Sequence, residues 1–214
     1  MTTPVTARNF ASRSRKQQSE YRKRQLIEAT LDCIDSLGIS QTTLARIADR
    51  AGLSQGNLVF HFQSKEALLE QALIFLNDEY TQTWQSALNK AVPDPVSRLR
   101  ALIGSTFSAR VCSRKKLSVW FAFWGESRSR PAYLKVCDAS DQVFSDRLLQ
   151  LCREIEAVHG ASLDAETAAL ALESMIDGLW QHLLINAPTI GREQALDAVY
   201  QLVDTIFPGL SEKN

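Results

Sequence analysis

The chain has 214 residues, 45% hydrophobic and 22% charged, which suits one or two globular domains with a sizeable core. No apolar run reaches the ~18 residues a membrane span needs, and the polar N-terminus is no secretory signal, so a cytoplasmic location is expected. Net charge is zero but uneven: residues 1–65 carry ten Lys/Arg against five Asp/Glu, and the remainder is acidic by the same margin. That asymmetry fits either a basic end that meets an anionic polymer or a solvated charged face.

Residues 1–20 are polar and basic, with Arg8, Arg13, Arg15 and Lys16 among Ser, Thr and Gln. They are expected to form a flexible arm, which either lies on phosphates or a minor groove or merely solubilises the chain. A first helix is expected from Tyr21 to Leu37, with Leu26, Ile27, Thr30, Leu31, Ile34 and Leu37 on its buried face and Gly38 as terminator. Arg22, Lys23 and Arg24 fall on its expected first turn. The helix dipole disfavours cations there, so an anion outside the helix, such as phosphate, would help.

A second helix starts after Thr42 and Thr43, with Leu44, Ile47, Ala48 and Ala51 inward and Arg46, Asp49 and Arg50 outward. Gly52 supplies a left-handed turn, Leu53 plugs the angle, and Ser54 caps a third helix, SQGNLVFHF. Leu58 and Phe62 face inward on it. The open side carries the chemistry of a recognition helix. Gln55 and Asn57 can pair with adenine, and Gly56 admits close backbone approach. Phe60 can touch a thymine methyl and His61 can donate to phosphate. Ser64 caps a fourth helix whose first turn holds Lys65, a phosphate-binding arrangement.

That fourth helix has no breaker before Pro93, so it links the helix-turn-helix mechanically to the C-terminal part of the chain. Further helices are expected to about Ala109, from Ser113 to Ser127, from Pro131 to Val158, from Asp164 to Asn186 and from Gly191 to Phe207. The sixth concentrates aromatics: Trp120 and Trp124 share a face, flanked by Phe121 and Phe123. Tyr133 opens the seventh, and Glu173, Asp177 and Trp180 share a side of the eighth. Trp120, Trp124, Phe121, Phe123 and Tyr133, with the carboxylates of Glu126 and Asp177, suit a pocket for an organic cation; the competing reading is ordinary core packing. Asp177 within SMIDGLW is costly unless paired or wet.

The four cysteines, Cys33, Cys112, Cys137 and Cys152, are scattered and read as reduced packing thiols, with redox sensing as the alternative. His61, His159 and His182 are far apart in sequence. There is no Gly-rich phosphate loop and no recognisable Ser/His/Asp set. No catalytic residues, cofactor or metal are therefore expected.

Several of these residues stand at fixed spacing: Thr42, Thr43, Ile47-Ala48, Ala51-Gly52-Leu53-Ser54, Gly56, Leu58, His61-Phe62, Ser64-Lys65-Glu66 and Leu68. Over about forty residues this resembles the DNA-binding domain of TetR-family transcriptional regulators. The resemblance implies an all-α, TetR-like chain of about nine helices. Residues 1–20 would be the arm, 21–66 the helix-turn-helix domain, and 67–214 a ligand-binding and dimerisation domain. Thr43, Arg46, Ser54, Gln55, Gly56, Asn57, Phe60, His61 and Lys65 would meet a double-stranded DNA operator. Two positions depart from the family: Ala45 stands where many members place an Arg on a base, and Val59 where a Tyr commonly touches phosphate. Arg46 or the basic arm would have to supply those contacts.

The run Trp120-Phe121-Ala122-Phe123-Trp124, Pro131-Ala132-Tyr133 and Ile176 to Trp180 resemble the C-terminal domain of the BetI subgroup, the choline-responsive betaine regulators. That implies a repressor released by a small molecule, choline or a related quaternary amine, bound by Trp120, Phe121, Trp124, Tyr133, Asp177 and Trp180. It also implies a homodimer through the last two helices, using Leu170, Leu172, Ile176, Leu179, Leu183 and Leu184, then Ala195, Val199, Leu202, Val203 and Ile206, on a near-palindromic site. A polyamine or apolar metabolite as ligand, and a helical small-molecule-binding protein without DNA function, are the alternatives.

Overall fold

A computed structural model describes residues 15–185 and 189–210. Among these residues there are nine α-helices and one 3₁₀ turn. They form two compact units that divide between Ala72 and Leu73.

In the N-terminal unit, α1 spans Arg15–Gln41, with a break at Gly38 (φ 75°, ψ 166°). It begins six residues before the expected start, so Arg15 to Glu20 are helical instead of part of an arm. Arg22, Lys23 and Arg24 consequently lie past the first turn, and the dipole argument for an external anion lapses there. The basic residues Arg8 and Arg13 lie outside the described residues.

After Gly38 the chain turns. Thr42, fully buried, donates its hydroxyl to Gly38 O at 2.8 Å, leaving Thr43 to cap α2 (Leu44–Arg50) by accepting from Arg46 N at 3.3 Å. Gly52 takes φ 64°, a conformation that costs a side chain dearly, and Leu53 N closes the turn on Ala48 O at 2.9 Å. Ser54 then caps α3 (Gln55–Phe62) through Asn57 N, and Ser64 caps α4 (Lys65–Lys90) through Ala67 N at 3.0 Å. Each cap is an oxygen placed one turn before an amide that the helix itself leaves unpaired. The apolar stripes meet in one core of Leu26, Ala29, Cys33, Ile47, Ala48, Ala51, Leu58, Phe62 and Leu68.

The C-terminal unit contains the rest of α4, then α5 (Pro95–Thr106), α6 (Arg114–Ser127), α7 (Pro131–His159), α8 (Ala165–Ile185) and α9 (Arg192–Ile206). Asp94 caps α5, Ser113 caps α6, and Asp164 accepts from Thr167 N at 2.8 Å to start α8. Helix α5 stops at Thr106, three residues short of expectation, because Phe107 and Ser108 bond back to Gly104 and Ser105 in a closing turn. Helix α7 packs on α5, α6 and α8, and α9 packs on α5 and α8. Leu99, Leu102, Ile103, Phe123, Leu148, Leu172, Val199 and Val203 fill this core. Trp180 Nε1 donates to Thr106 O at 3.2 Å, which ties α8 to the end of α5.

Much of the apolar stripe expected to face a second copy is buried within the chain instead. Leu172, Ile176, Leu183, Ala195, Val199, Val203 and Ile206 are all buried. On helices that pack on neighbours of the same unit, the most apolar stripe goes inward first. Of the expected α8 residues, Leu170 stays two-thirds exposed, as does Ile185 further along the helix.

Candidate functional site

The open side of α3 is built by its inward side. Leu58 (0% exposed) and Phe62 (6%) anchor the helix, and their burial turns Gln55, Gly56, Val59 and Phe60 outward. Phe60 is 80% exposed, an apolar ring on a polar face. Single exposed apolar residues are common, but one flanked by Gln55, Gly56 and His61 suits contact with a base methyl. His61 is edge-on to Phe60 at 5.1 Å. Partial burial first, then the charges of Lys23 and Arg22, lower its pKa, so His61 is a neutral hydrogen-bond donor at pH 7.

Most of the polar groups around α3 are already tied into the fold. Asn57 is gripped at both ends: Nδ2 donates to Ser54 Oγ at 3.4 Å, and Oδ1 accepts from Arg22 Nη1 at 3.1 Å. Arg46 donates to Gln41 O at 2.7 Å and Lys65 Nζ to Ile39 O at 3.1 Å. Thr43, Arg46, Ser54, Gln55, Gly56 and Phe60 are exposed; Asn57, His61 and Lys65 are half-buried. Gln25 Nε2 bonds Ala51 O at 2.6 Å, which holds α1 against the turn before α3. Arg22 beside α3 is a neighbour the sequence does not disclose. Its 35-residue separation from Asn57 carries no periodic signal.

The second candidate lies in the C-terminal unit. A cavity of about 90 Å³, ample for several waters or a small organic ion, is lined by Tyr80, Trp120, Trp124, Asp141, Phe144, Glu173, Ile176, Asp177 and Trp180. Tyr80 is its hub: its ring meets Trp120 at 6.3 Å, Trp180 at 5.9 Å and Phe144 at 5.7 Å. Trp120 and Trp124 lie 6.1 Å apart. No cationic side chain among the described residues lines the cavity, so its three carboxylates face one another uncompensated. Ser145 donates to Glu173 at 2.6 Å.

Asp141 and Asp177 are exposed residues, so water reaches part of each carboxyl. Even so, their surroundings push both carboxyls up to about 6. For each, desolvation leads; the neighbouring charges of Asp177, Glu173 and Asp138 add to it for Asp141, and that of Glu173 for Asp177. Burial, reinforced by the same carboxylates, drives the Tyr80 hydroxyl well above its usual range.

Four of the six residues expected around a ligand line this cavity: Trp120, Trp124, Asp177 and Trp180. Phe121 and Tyr133 do not. Phe121 sits edge-on to Trp124 at 5.0 Å, while Tyr133 is buried against Phe123 at 5.1 Å with the Arg130 guanidinium over its ring. Glu126 pairs with Arg130 at 3.2 Å and is not in the lining. Glu173, Tyr80, Phe144, Asp141 and Ile176 complete the lining, the last four without any local signal for that role. In the sequence, Tyr80 is only one more apolar position of α4.

Cys33, Cys112 and Cys152 are buried thiols, and burial raises each, Cys112 to about 11 and Cys152 to about 12. They are poor nucleophiles at neutral pH. The side chain of Cys137 lies outside the described residues. No cluster of metal-ligating groups occurs among the described residues, and none of their helices is long and apolar enough to cross a membrane.

A helix-turn-helix with an open third helix, continued by a helical unit that encloses a cavity, is the plan of a DNA-binding transcriptional regulator. Residues 26–72 match the family described as bacterial regulatory proteins of the tetR family, and residues 95–208 match the BetI-type transcriptional repressor C-terminal domain. The chain belongs to the TetR family of transcriptional regulators and carries a BetI-type C-terminal domain. It is 33% identical over 190 residues to the HTH-type transcriptional regulator BetI of Paraburkholderia xenovorans, spanning 88% of this chain and 94% of that one. It is 31% identical over 193 residues to BetI of Pseudomonas paraeruginosa, with 86% and 91% covered. Among solved structures, a transcriptional regulator from Pseudomonas aeruginosa PAO1 superposes with a TM-score of 0.76 at 32% identity, covering 86% of this chain and 89% of that one. A regulator from Saccharomonospora viridis, solved in complex with choline, shares the fold at a TM-score of 0.76 and 22% identity, over 87% and 97%. These relatives and families are regulators, and the chain is not an enzyme.

Proposed function

We propose that this regulator is a cytoplasmic repressor that binds a near-palindromic operator as a homodimer and is released by a small organic cation, choline or a related quaternary amine. The cavity chemistry carries this reading: aromatic faces of Tyr80, Trp120, Trp124 and Trp180 beside Asp141, Glu173 and Asp177, with no cationic side chain among the described residues in the lining. Aromatic faces attract a desolvated ammonium by roughly 2 kcal/mol or more, and carboxylates supply the balancing charge. That the Saccharomonospora viridis regulator holds choline agrees with this. Three carboxylates also suit a polyamine, which is the second reading.

On the DNA side, Gln55, Gly56 and Phe60 meet bases, while Thr43, Arg46, Ser54, His61 and Lys65 position the backbone. Leu170 and Ile185 contribute to the contact with the second copy. Release is a population shift: the cation binds better to a conformation in which the two recognition helices are spaced wrongly for successive grooves, and α4, which carries both Lys65 and Tyr80, transmits the difference.

The test is calorimetric titration of the intact regulator with choline, with 3,3-dimethylbutan-1-ol as a neutral isostere and spermidine as the polyamine. Choline binding, no isostere binding, and loss of operator retardation on adding choline are expected. No heat with millimolar choline from protein that still retards its operator would sink the quaternary-amine reading, and heat with spermidine alone would install the second one.

A further inference from the structure

Three consecutive cations, Arg22, Lys23 and Arg24, lie on α1, and the fold treats them differently. Lys23 pairs with Glu20 at 3.3 Å and Arg24 with Glu28 at 3.0 Å, both on their own helix. Arg22 has no carboxylate partner among the described residues. It reaches from α1 to α3 and donates to the neutral Asn57 amide. Its charge is therefore uncompensated, while one of its donors is anchored.

The anchor is itself fixed. Asn57 is in the first turn of α3, and its amide nitrogen is held by Ser54 Oγ, the oxygen that also caps the helix through Asn57 N. Gln25, three residues after Arg22, binds α1 to Ala51 O just before α3. The guanidinium is thus held at Asn57 on the first turn of α3, the turn that also carries Gln55 and Gly56 and is of the kind that faces base edges in a helix-turn-helix. An arginine offers five donors in a planar fork, and anchoring one nitrogen leaves an edge that matches guanine O6 and N7.

We propose that Arg22 reads a guanine in each operator half-site, and that Asn57 is its positioning residue instead of an independent reader of adenine. This rests on the DNA-binding reading above. With one donor and one acceptor of its amide already engaged, Asn57 is held in orientation by the fold and is less free to turn toward adenine, whereas Arg22 reads guanine with its bond to Asn57 intact. The uncompensated charge also adds attraction to the duplex that Lys23 and Arg24, neutralised by their partners, supply less.

The experiment uses duplexes selected from a random pool by the wild-type protein, then every single base-pair variant of the best one, with binding read by fluorescence anisotropy at several salt concentrations. Wild type should prefer one G·C pair per half-site by roughly 5- to 150-fold. Arg22→Ala and Asn57→Ala should each flatten that preference at the same pair and leave the other pairs discriminated. The double variant should be no worse there than Arg22→Ala alone. Arg22→Lys should also lose the preference, since an ammonium cannot form the fork. Arg22 is exposed, so the variants should fold, which circular dichroism and a melting curve check.

Uniform weakening of every duplex by Arg22→Ala, with the salt slope reduced by about one, would make Arg22 a phosphate contact and overturn the inference. Unchanged discrimination in Arg22→Ala, or a flattening by Asn57→Ala at a different pair, would overturn it too. In all these cases the regulator reading survives. A wild-type protein that selects no sequence from the pool would remove that reading and this inference together.

Discussion

Lys65 Nζ donates to the carbonyl oxygen of Ile39 at 3.1 Å, so the first residue of α4 is fastened to the turn just past the Gly38 break in α1. One side chain therefore has two jobs. It holds the start of α4 in place, and in the proposed complex with DNA its remaining two donors and its charge meet a phosphate at a helix N-terminus. Lys65→Ala should weaken binding to matched and mismatched duplexes alike, reduce the salt slope by about one, and cost about 1 kcal/mol of stability through the lost tie. Anisotropy over a salt series together with thermal melting checks this. A loss confined to certain base pairs would contradict it.

Gln55 behaves differently, because its side chain is exposed on the open side of α3 and the helix is anchored by Leu58 and Phe62 without it. Gln55→Ala should leave stability and the salt slope within error, and should relax discrimination at one base pair per half-site by roughly 5- to 150-fold. The readout is the same base-pair variant series. Equal losses at every pair would assign Gln55 to the backbone instead.

The cavity carboxylates set a pH dependence with two signs. Asp141 and Asp177 have folded-state pKa values of about 6, above the ordinary 3.8. The folded protein thus keeps protons that the unfolded chain has already lost between about pH 4 and 6. Their stabilising effect is full below pH 4 and is lost as pH rises through 6. Cation binding needs the charged form, so choline affinity should rise between pH 5 and 7. Calorimetry at pH 5, 6 and 7 tests it, and Asp177→Asn should remove part of the slope as well as weaken binding. An affinity flat from pH 5 to 7 would show that these carboxylates do not face the cation.

The exposed apolar residues of α8 make the oligomer testable. Leu170→Glu and Ile185→Glu each place a carboxylate on a two-thirds exposed apolar position, with little cost to the folded chain. If the wild type sediments as the proposed dimer, analytical ultracentrifugation should show both variants shifted to monomer, with operator affinity falling in step as paired half-site binding is lost. A dimer that survives both substitutions would move the interface elsewhere on the chain.

The features legible in the sequence are those set within a few residues. Thr43, Ser54 and Ser64 act as expected because a cap oxygen meets an amide three residues on, whatever the rest of the chain does. The inward faces of α2 and α3 come from helical period, which is why Leu58 and Phe62 are buried. The family resemblance is equally local, resting on residues at fixed spacing along the helix-turn-helix.

Tertiary structure decides what no period encodes. Periodicity marks an apolar stripe but not its partner, so Leu172 and Ile176 suit a second copy by pattern although they pack within their own unit. Trp120 and Trp124 are visible as a pair, yet their neighbours Tyr80 and Trp180 lie 40 and 60 positions from Trp120, too far for sequence to bring them together. Tyr133 goes to the core because burying a ring against Phe123 competes with lining a cavity, and only packing resolves that competition. The amino-acid sequence by itself determined the helices, their caps and the DNA-reading unit, since those depend on short-range hydrogen bonds and spacing. The fold alone decided which carboxylates share one desolvated cavity and which arginine stands beside Asn57, since both depend on where distant helices meet.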